Sequence, residues 1–236
     1  MTPDHTNENK RPLLIAIDGP VGAGKSSISD AVADRLGILH LDTGAMYRAC
    51  GLECLRCGIS TKDEQAVSAL IAHTDIDVRY EDGRQKTLLK GQDVSADIRT
   101  PAVADAASDV SCFQKVRARM VALQQELASR TSMLLDGRDI GTVVLKDAPV
   151  KIFLTASVEA RAKRRLLDYQ KAGRKTTLEE VLKAVNERDY QDTHREADPL
   201  RKAEDAVVVD SSDLSFDETV SRILAIVAEK TEGAEK

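Results

Sequence analysis

Apolar residues fall into two kinds of segment along the chain. Short uninterrupted runs alternate with longer stretches in which apolar positions recur every three or four residues. Leu13 to Ile17 is such a run, closed by Asp18 and followed at once by a glycine cluster. It predicts a buried strand entering a tight turn. Ile38 to Leu41, Met133 to Leu135, Val150 to Leu154 and Ala206 to Val209 predict further short buried strands. Between them, helical spacing covers Ser26 to Leu36, Thr43 to Cys57, Pro101 to Val110 and Lys115 to Ala128. It returns over Val158 to Tyr169, Leu178 to Asp192 and Phe216 to Glu229. Gly37 and Gly58 read as helix stops. One region breaks the rhythm. Ile76, Val78 and Tyr80 alternate with polar residues, Asp82-Gly83 is a turn signal, and Thr87 to Leu89 resumes a strand. That pattern predicts a hairpin.

Strands alternating with helices imply an α/β fold, with a parallel sheet flanked by helices in a single domain over 1–236. The region from Ile59 to Thr100, which holds the hairpin, reads as an insertion into that domain. Met1 to Pro12 is polar, lacks the apolar stretch of a secretory signal and reads as a loose tail. No apolar run approaches the roughly 18 residues of a membrane span.

Composition narrows the partners. Hydrophobic residues make up 42%, enough for a core. Lys and Arg number 34 against 39 Asp and Glu, a net charge of −5. Duplex binding needs clustered excess cations, so nucleic acid is not an expected partner. Trp is absent and aromatics make up 3%, which leaves few platforms for stacking single-stranded bases. Cys50, Cys54, Cys57 and Cys112, without an export signal, predict reduced thiols and a cytoplasmic protein. We expect a monomer that binds small molecules and no membrane.

The strongest motif is Gly19-Pro20-Val21-Gly22-Ala23-Gly24-Lys25-Ser26, which fits G-x-x-x-x-G-K-[ST] between a predicted strand and a predicted helix. Glycines let backbone N–H groups turn inward around phosphate oxygens, and the helix N-terminus points at the same anion. Lys25 would reach the β- and γ-phosphates, and Ser26 would hold Mg²⁺, with Ser27 as the alternative. Guanine reading has no support, since Thr61-Lys62-Asp63-Glu64 misses the guanine motif at its last position. Asp136, after Met133-Leu134-Leu135, lies at the C-terminal end of a strand, where ligands of open α/β sheets bind. It is a candidate for orienting Mg²⁺, while the bland reading of Asp136 and Asp139 is a pair of turn-forming acids.

Positive charge is concentrated between Ala160 and Lys175, where Arg161, Lys163, Arg164, Arg165, Lys171, Arg174 and Lys175 face Asp168 alone. Such a run is either a solvated helix face or a lid over phosphates, and the planar fork of Arg suits the lid. Arg188, Asp192 and Arg195 share one helix face and by spacing alone read as a surface salt-bridge ladder. Cys50, Cys54 and Cys57 match the spacing of iron–sulfur radical enzymes. Arg56 stands where that pattern has an aromatic, and the i, i+4, i+7 spacing reads as an apolar core stripe. His5, His40, His73 and His194 show no metal-ligand spacing.

These motifs together resemble the bacterial cytidylate kinases, from Leu13 to Ala228. The resemblance rests on the phosphate loop, Asp42-Thr43-Gly44-Ala45-Met46-Tyr47-Arg48, Ile98-Arg99-Thr100 and the block from Asp136 to Val144. Ala148 to Leu154, Pro199-Leu200, Asp205-Ala206 and Asp210-Ser211 complete it. It implies a phosphate-loop nucleoside monophosphate kinase with a monophosphate-binding region over 43–110, enlarged by the hairpin, and a lid over 158–176. By position, base reading falls on Ser108, Arg117 and Asp139, and ribose contacts on Arg188 and Asp192, which overturns the salt-bridge reading. Acceptor-phosphate contacts fall on Thr43, Arg48, Arg138 and Arg195. Gln191 and His194 occupy positions that are basic or amide in some members, and Lys25-Ser26-Ser27 stands where many have Lys-Gly-Thr. The implied reaction moves the γ-phosphate of ATP, with Mg²⁺, to CMP or dCMP. Lys25, Arg138, Arg161 and Arg165 would stabilise the transferring charge.

Overall fold

The computed structural model describes residues 12–171 and 173–232; the tail reading of residues 1–11 lies outside them. Leu14–Asp18 forms the central strand β1, and Lys25–Leu36 forms α1. Leu39–Asp42 is β2, Met133–Gly137 β6, Val150–Thr155 β7 and Val207–Asp210 β8. These five strands make one parallel sheet in the order β2-β6-β1-β7-β8. Both faces are covered, which explains the uninterrupted apolar runs. Alternation sorts the side chains: Ile15, Ile17 and Leu134 pack with α1 and the last helix α8 (Phe216–Glu232). Ala16, Met133 and Leu135 pack on the opposite face, against α2 (Thr43–Arg56) and α5 (Gln114–Ala128).

The inserted region is a second, antiparallel sheet of β3 (Ile76–Glu81), β4 (Arg84–Leu89) and β5 (Gln92–Asp93). Asp82 and Gly83 both have positive φ, the geometry of a two-residue hairpin turn. Gln85 clips this sheet to the core: its Oε1 accepts from the Asp42 amide at 2.7 Å and its Nε2 donates to the Asp42 carbonyl at 3.3 Å. A helix that the periodicity did not predict, α3 (Glu64–His73), precedes the hairpin. Asp63 caps it by accepting from the Ala66 amide at 3.0 Å. Helix α4 (Pro101–Val110) lies backbone to backbone on α2. A Cβ at Gly51 would stand 2.8 Å from the Ala107 amide nitrogen, so only glycine permits this approach. Helices α6 (Val158–Lys171) and α7 (Leu178–His194) pack on each other through Ala162, Val181 and Val185.

Several boundaries move: α7 continues to His194 and α8 to Glu232. The cysteine stripe is corrected too. Cys50 and Cys54 are buried in the core, but Cys57 is exposed at the C-cap of α2, where the helical face ends. No group of three or more His, Cys, Asp or Glu among the described residues has the arrangement of a metal cluster. No described helix is long and apolar enough to cross a membrane.

Candidate active site

Three neighbouring strands carry an acid at the same edge of the sheet: Asp18 and Asp42 close β1 and β2, and Asp136 is the last residue but one of β6. In register, Ile17 lies beside Asp136 and Asp42 beside Asp136, with Asp18 one residue further along β1. This is the C-terminal edge at which the strand order reverses, where open α/β sheets place ligands. A cleft of about 730 Å³ opens there, lined by the phosphate loop, α2, α4, α5 and the α6–α7 pair.

The loop from Gly19 to Gly24 wraps the start of α1. Gly19 has φ 156°, and a Cβ there would meet the Leu154 carbonyl oxygen at 1.9 Å, so the sharp exit from β1 requires glycine. Lys25 is buried and donates from Nζ to the Pro20 carbonyl at 2.9 Å. Burial first, then the nearby Arg138, lowers its pKa to about 7, against the pull of Asp136, Asp192 and Asp18. Ser26 Oγ donates to Asp136 Oδ2 at 3.1 Å, so Ser26 is the hydroxyl that the fold sets against the strand-end acid. Hydroxyl and carboxylate are hard oxygen donors, and one or two of them completed by phosphate and water oxygens is the set that suits Mg²⁺.

Asp136 has a second partner that the sequence did not signal. His40 lies between two carboxylates, Nε2 to Asp136 Oδ1 at 2.8 Å and Nδ1 to Asp30 Oδ1 at 2.8 Å. Burial pushes its pKa down, but the bonds to Asp136 and Asp30 outweigh this and raise it to about 10. His40 is therefore an imidazolium at neutral pH, donating from both nitrogens and fixing the Asp136 carboxylate. Asp18 was missed as well. Its carboxylate accepts from the amides of Ile140 and Gly141 at 2.8 and 2.7 Å, and burial raises its pKa to about 6. It thereby holds the π-helical turn Ile140–Val144 that follows Asp139.

The arginines that share the cleft are held by carboxylates. Arg117 is 2% exposed, pairs through NH2 with Asp139 Oδ2, and donates from Nε to Asp198 Oδ2 at 2.8 Å. Its NH1 donates to the Ser111 carbonyl at 3.1 Å, and its guanidinium lies 5.6 Å from the Tyr47 ring centre. Arg195 reaches Asp139 Oδ1 at 3.6 Å. Asp192, 2% exposed, accepts from Arg138 Nε at 2.7 Å and from Arg188 Nε at 3.1 Å. Arg48 pairs with Asp42 at 2.5 Å. Thr43 Oγ1 donates to the Asp136 carbonyl at 2.7 Å, and Ser108 Oγ donates to Gln191 Oε1. Gln191 Nε2 in turn lies 3.8 Å from Cys112 Sγ.

Two basic residues of the 160–175 run face the cleft with Tyr169: Arg165 and Arg174, whose guanidinium carbons lie 5.2 and 4.6 Å from the Tyr169 ring centre. Arg161 does not fit the expectation of a phosphate-facing side chain. It is buried and consumed by the protein, donating to the Ala156 carbonyl at 2.9 Å and the Val21 carbonyl at 3.0 Å. It also pairs with Asp189 at 2.7 Å. Arg161 thus braces the phosphate loop against α7. A charge run along one helix does not reveal which of its members turns inward. Ser27 is exposed, with its neighbour Ser26 taking the contact to Asp136.

Asp192 gives a stability test. Burial raises its pKa, but Arg138 and Arg188 outweigh that and hold it at about 2, below the ordinary 3.8. A depressed carboxyl stabilises the fold above pH 3.8 and loses that contribution as pH falls toward 2. Asp192→Asn is expected to lose about 2 kcal/mol of unfolding free energy at pH 7. Urea titrations should show the gap to the parent chain narrowing below pH 3.8. A gap independent of pH would show that the charge is not its source.

The cytidylate kinase family model matches residues 15–229. Cytidylate kinase of Lactobacillus johnsonii is 48% identical over 218 residues, 92% of this chain and 95% of that protein. Cytidylate kinase of Caldicellulosiruptor bescii is 49% identical over 216 residues, 92% of this chain and 96% of that protein. The crystal structure of an uncharacterized protein from Eubacterium ventriosum matches with TM-score 0.52 at 12% identity, covering 92% and 98% of the two chains, and so shares the fold alone. Matching along nearly its whole described length, the chain belongs to the cytidylate kinase family.

Proposed function

We propose that the protein transfers the γ-phosphate of ATP to CMP or dCMP, giving ADP and CDP or dCDP. The observation that carries this reading is one cleft with a phosphate loop at one end and the buried Arg117–Asp139 pair in its wall. Arg138 and Arg188 lie in the same cleft, both held by Asp192. A phosphate donor and a base-bearing acceptor fit this arrangement together. In this reading residues 43–110 receive the acceptor and residues 158–176 close over the donor.

The acceptor phosphate, with a second pKa near 6, is largely dianionic at neutral pH and needs no strong general base. The task is to bring two polyanions into line and neutralise the charge that develops between them. Lys25 and Arg138 supply positive charge on either side of the transferring group. Arg48, Arg138 and Arg195 hold the acceptor phosphate beside Thr43, and Arg188 and Asp192 meet the ribose. Ser26 and Asp136 would hold Mg²⁺ brought with ATP, which would supply neutralisation of the phosphate charge. Arg165 and Arg174 face the donor side with Tyr169, while Arg161 acts through the loop that it braces. Exclusion of water by closure protects ATP from hydrolysis.

Base choice follows from hydrogen-bond polarity. Cytosine presents an exocyclic donor beside a ring acceptor, and uracil reverses that order. Asp139 accepts from the amine, Arg117 donates to the ring side, and Ser108 is released from Gln191 to contribute. A site so built leaves buried groups unpaired with the wrong base. The test is ADP formation from ATP over a panel of CMP, dCMP, UMP and AMP. CMP and dCMP should stimulate it most, and Asp139→Ala should cost CMP turnover more than UMP turnover. Indifference to every monophosphate would defeat the kinase reading; equal losses on CMP and UMP would remove Asp139 from base reading.

A further inference from the structure

Three described non-glycine residues have positive φ: Asp82, Lys90 and Asp198. Asp82 and Lys90 each begin a two-residue hairpin turn, where that conformation is ordinary. Asp198, at φ 47°, lies in no hairpin and precedes Pro199, whose ring biases the preceding residue toward extended backbone. A left-handed non-glycine residue is uncommon, and such strain persists only where the surroundings hold it.

What holds Asp198 are the two arginines that meet Asp139. Its carboxylate Oδ2 accepts from Arg117 Nε at 2.8 Å. Its backbone carbonyl accepts from both Arg195 Nε at 2.9 Å and Arg195 NH2 at 2.5 Å. Asp139 joins the same two guanidiniums from the other side, Oδ2 to Arg117 and Oδ1 to Arg195. The four residues therefore form a closed ring in which each guanidinium lies between two acceptors. The left-handed backbone at position 198 lets one residue aim its side chain at Arg117 and its carbonyl at Arg195. The segment is tied down just beyond, where the Leu200 amide donates to the Asp192 carbonyl at 2.8 Å.

We infer that Asp198 is a positioning residue for the acceptor: its carboxylate orients Arg117 toward the base, and its left-handed carbonyl orients Arg195 toward the phosphate. This rests on the acceptor roles proposed above for Arg117 and Arg195. The two halves of the device separate by mutation. Asp198→Gly keeps access to the left-handed backbone and removes the carboxylate. Asp198→Asn keeps that conformational tolerance and a side-chain acceptor but removes the charge. Asp198→Val removes the carboxylate and disfavours the backbone.

The ligands separate as well. Cytidine carries base and ribose without phosphate, and ribose 5-phosphate carries phosphate without base. Their inhibition constants against CMP report the two ends of the acceptor site in the full-length protein. Asp198→Gly should weaken cytidine about tenfold, the scale of a lost charge-assisted bond. It should leave ribose 5-phosphate within about twofold, whereas Asp198→Val weakens both. Asp198→Asn should fall between parent and Asp198→Gly for cytidine, which keeps the test open if the valine variant does not fold. In an Arg117→Ala background the Asp198→Gly effect on cytidine should vanish, a coupling that a merely structural role would not produce. Parent-like cytidine inhibition in Asp198→Gly, while Arg117→Ala alone weakens it, overturns the role of Asp198 and leaves the base-reading assignment standing. If Arg117→Ala leaves cytidine unchanged, the base-reading assignment falls and the inference falls with it.

Discussion

Lys25→Met is expected to lower phosphate transfer by about a thousandfold or more, with the fold intact, because in the proposed reaction it removes a buried charge aimed at the developing anion. Met matches the length and shape of the lysine stem, so the buried volume around residue 25 is preserved. Stability should hold or rise. Burial already drives the Lys25 pKa to about 7, which means that the folded protein disfavours the charged form it must adopt around phosphates. The one internal bond lost is Nζ to the Pro20 carbonyl. A folded, thermally stable Lys25→Met protein with no ADP formation in the presence of CMP is the expected result. Near-full turnover in that protein would sink the phosphate-loop assignment.

The phosphate loop was legible because its chemistry is contiguous. Strand, glycines and lysine follow one another, so periodicity and motif point to the same place. The parallel sheet was legible for a related reason: strands buried on both faces leave uninterrupted apolar runs. Helix α3 was not. It is short, ten residues, and its buried residues, Val67, Ser68 and Ile71, include one polar side chain, which weakens the apolar periodicity. The π-helical turn Ile140–Val144 has no periodic signature, since its bonds depend on Asp18, 122 residues away in sequence from Ile140.

The site residues divide along the same line. Asp136 was readable from its place at the end of an apolar run, whereas Arg117 is one cation on an ordinary helix and was singled out by family resemblance alone. Its meaning comes from Asp139 and Asp198, 22 and 81 positions away. His40 and Asp198 were invisible because each matters through a partner on another element. Net charge misled least where it was read locally. An acidic chain surrounds its cleft arginines with Asp42, Asp139, Asp192 and Asp198, which hold the guanidiniums in place.

Arg138→Met is expected to lower kcat by about a hundred- to a thousandfold and to raise the KM for CMP by about tenfold, which separates it from a residue that only binds. In the proposed reaction Arg138 lies between the two phosphate sites. It is close enough to Lys25 to depress that pKa, and its Nε is fixed by Asp192 at 2.7 Å. A guanidinium fixed through one edge presents its remaining N–H groups to phosphate without reorganising during the reaction. The substitution leaves the buried Asp192 carboxylate with Arg188 as its remaining side-chain partner, so stability should fall as well. Asp192→Asn measures that loss separately, because it disturbs the support and leaves the Arg138 charge in place. Arg138→Lys restores the charge but not the planar fork, so it should recover part of kcat and little of the fixed geometry. If Arg138→Met raised KM and spared kcat, Arg138 would hold the acceptor equally well before and during transfer. The stabilisation of the transferring group would then rest on Lys25 and the donor side alone.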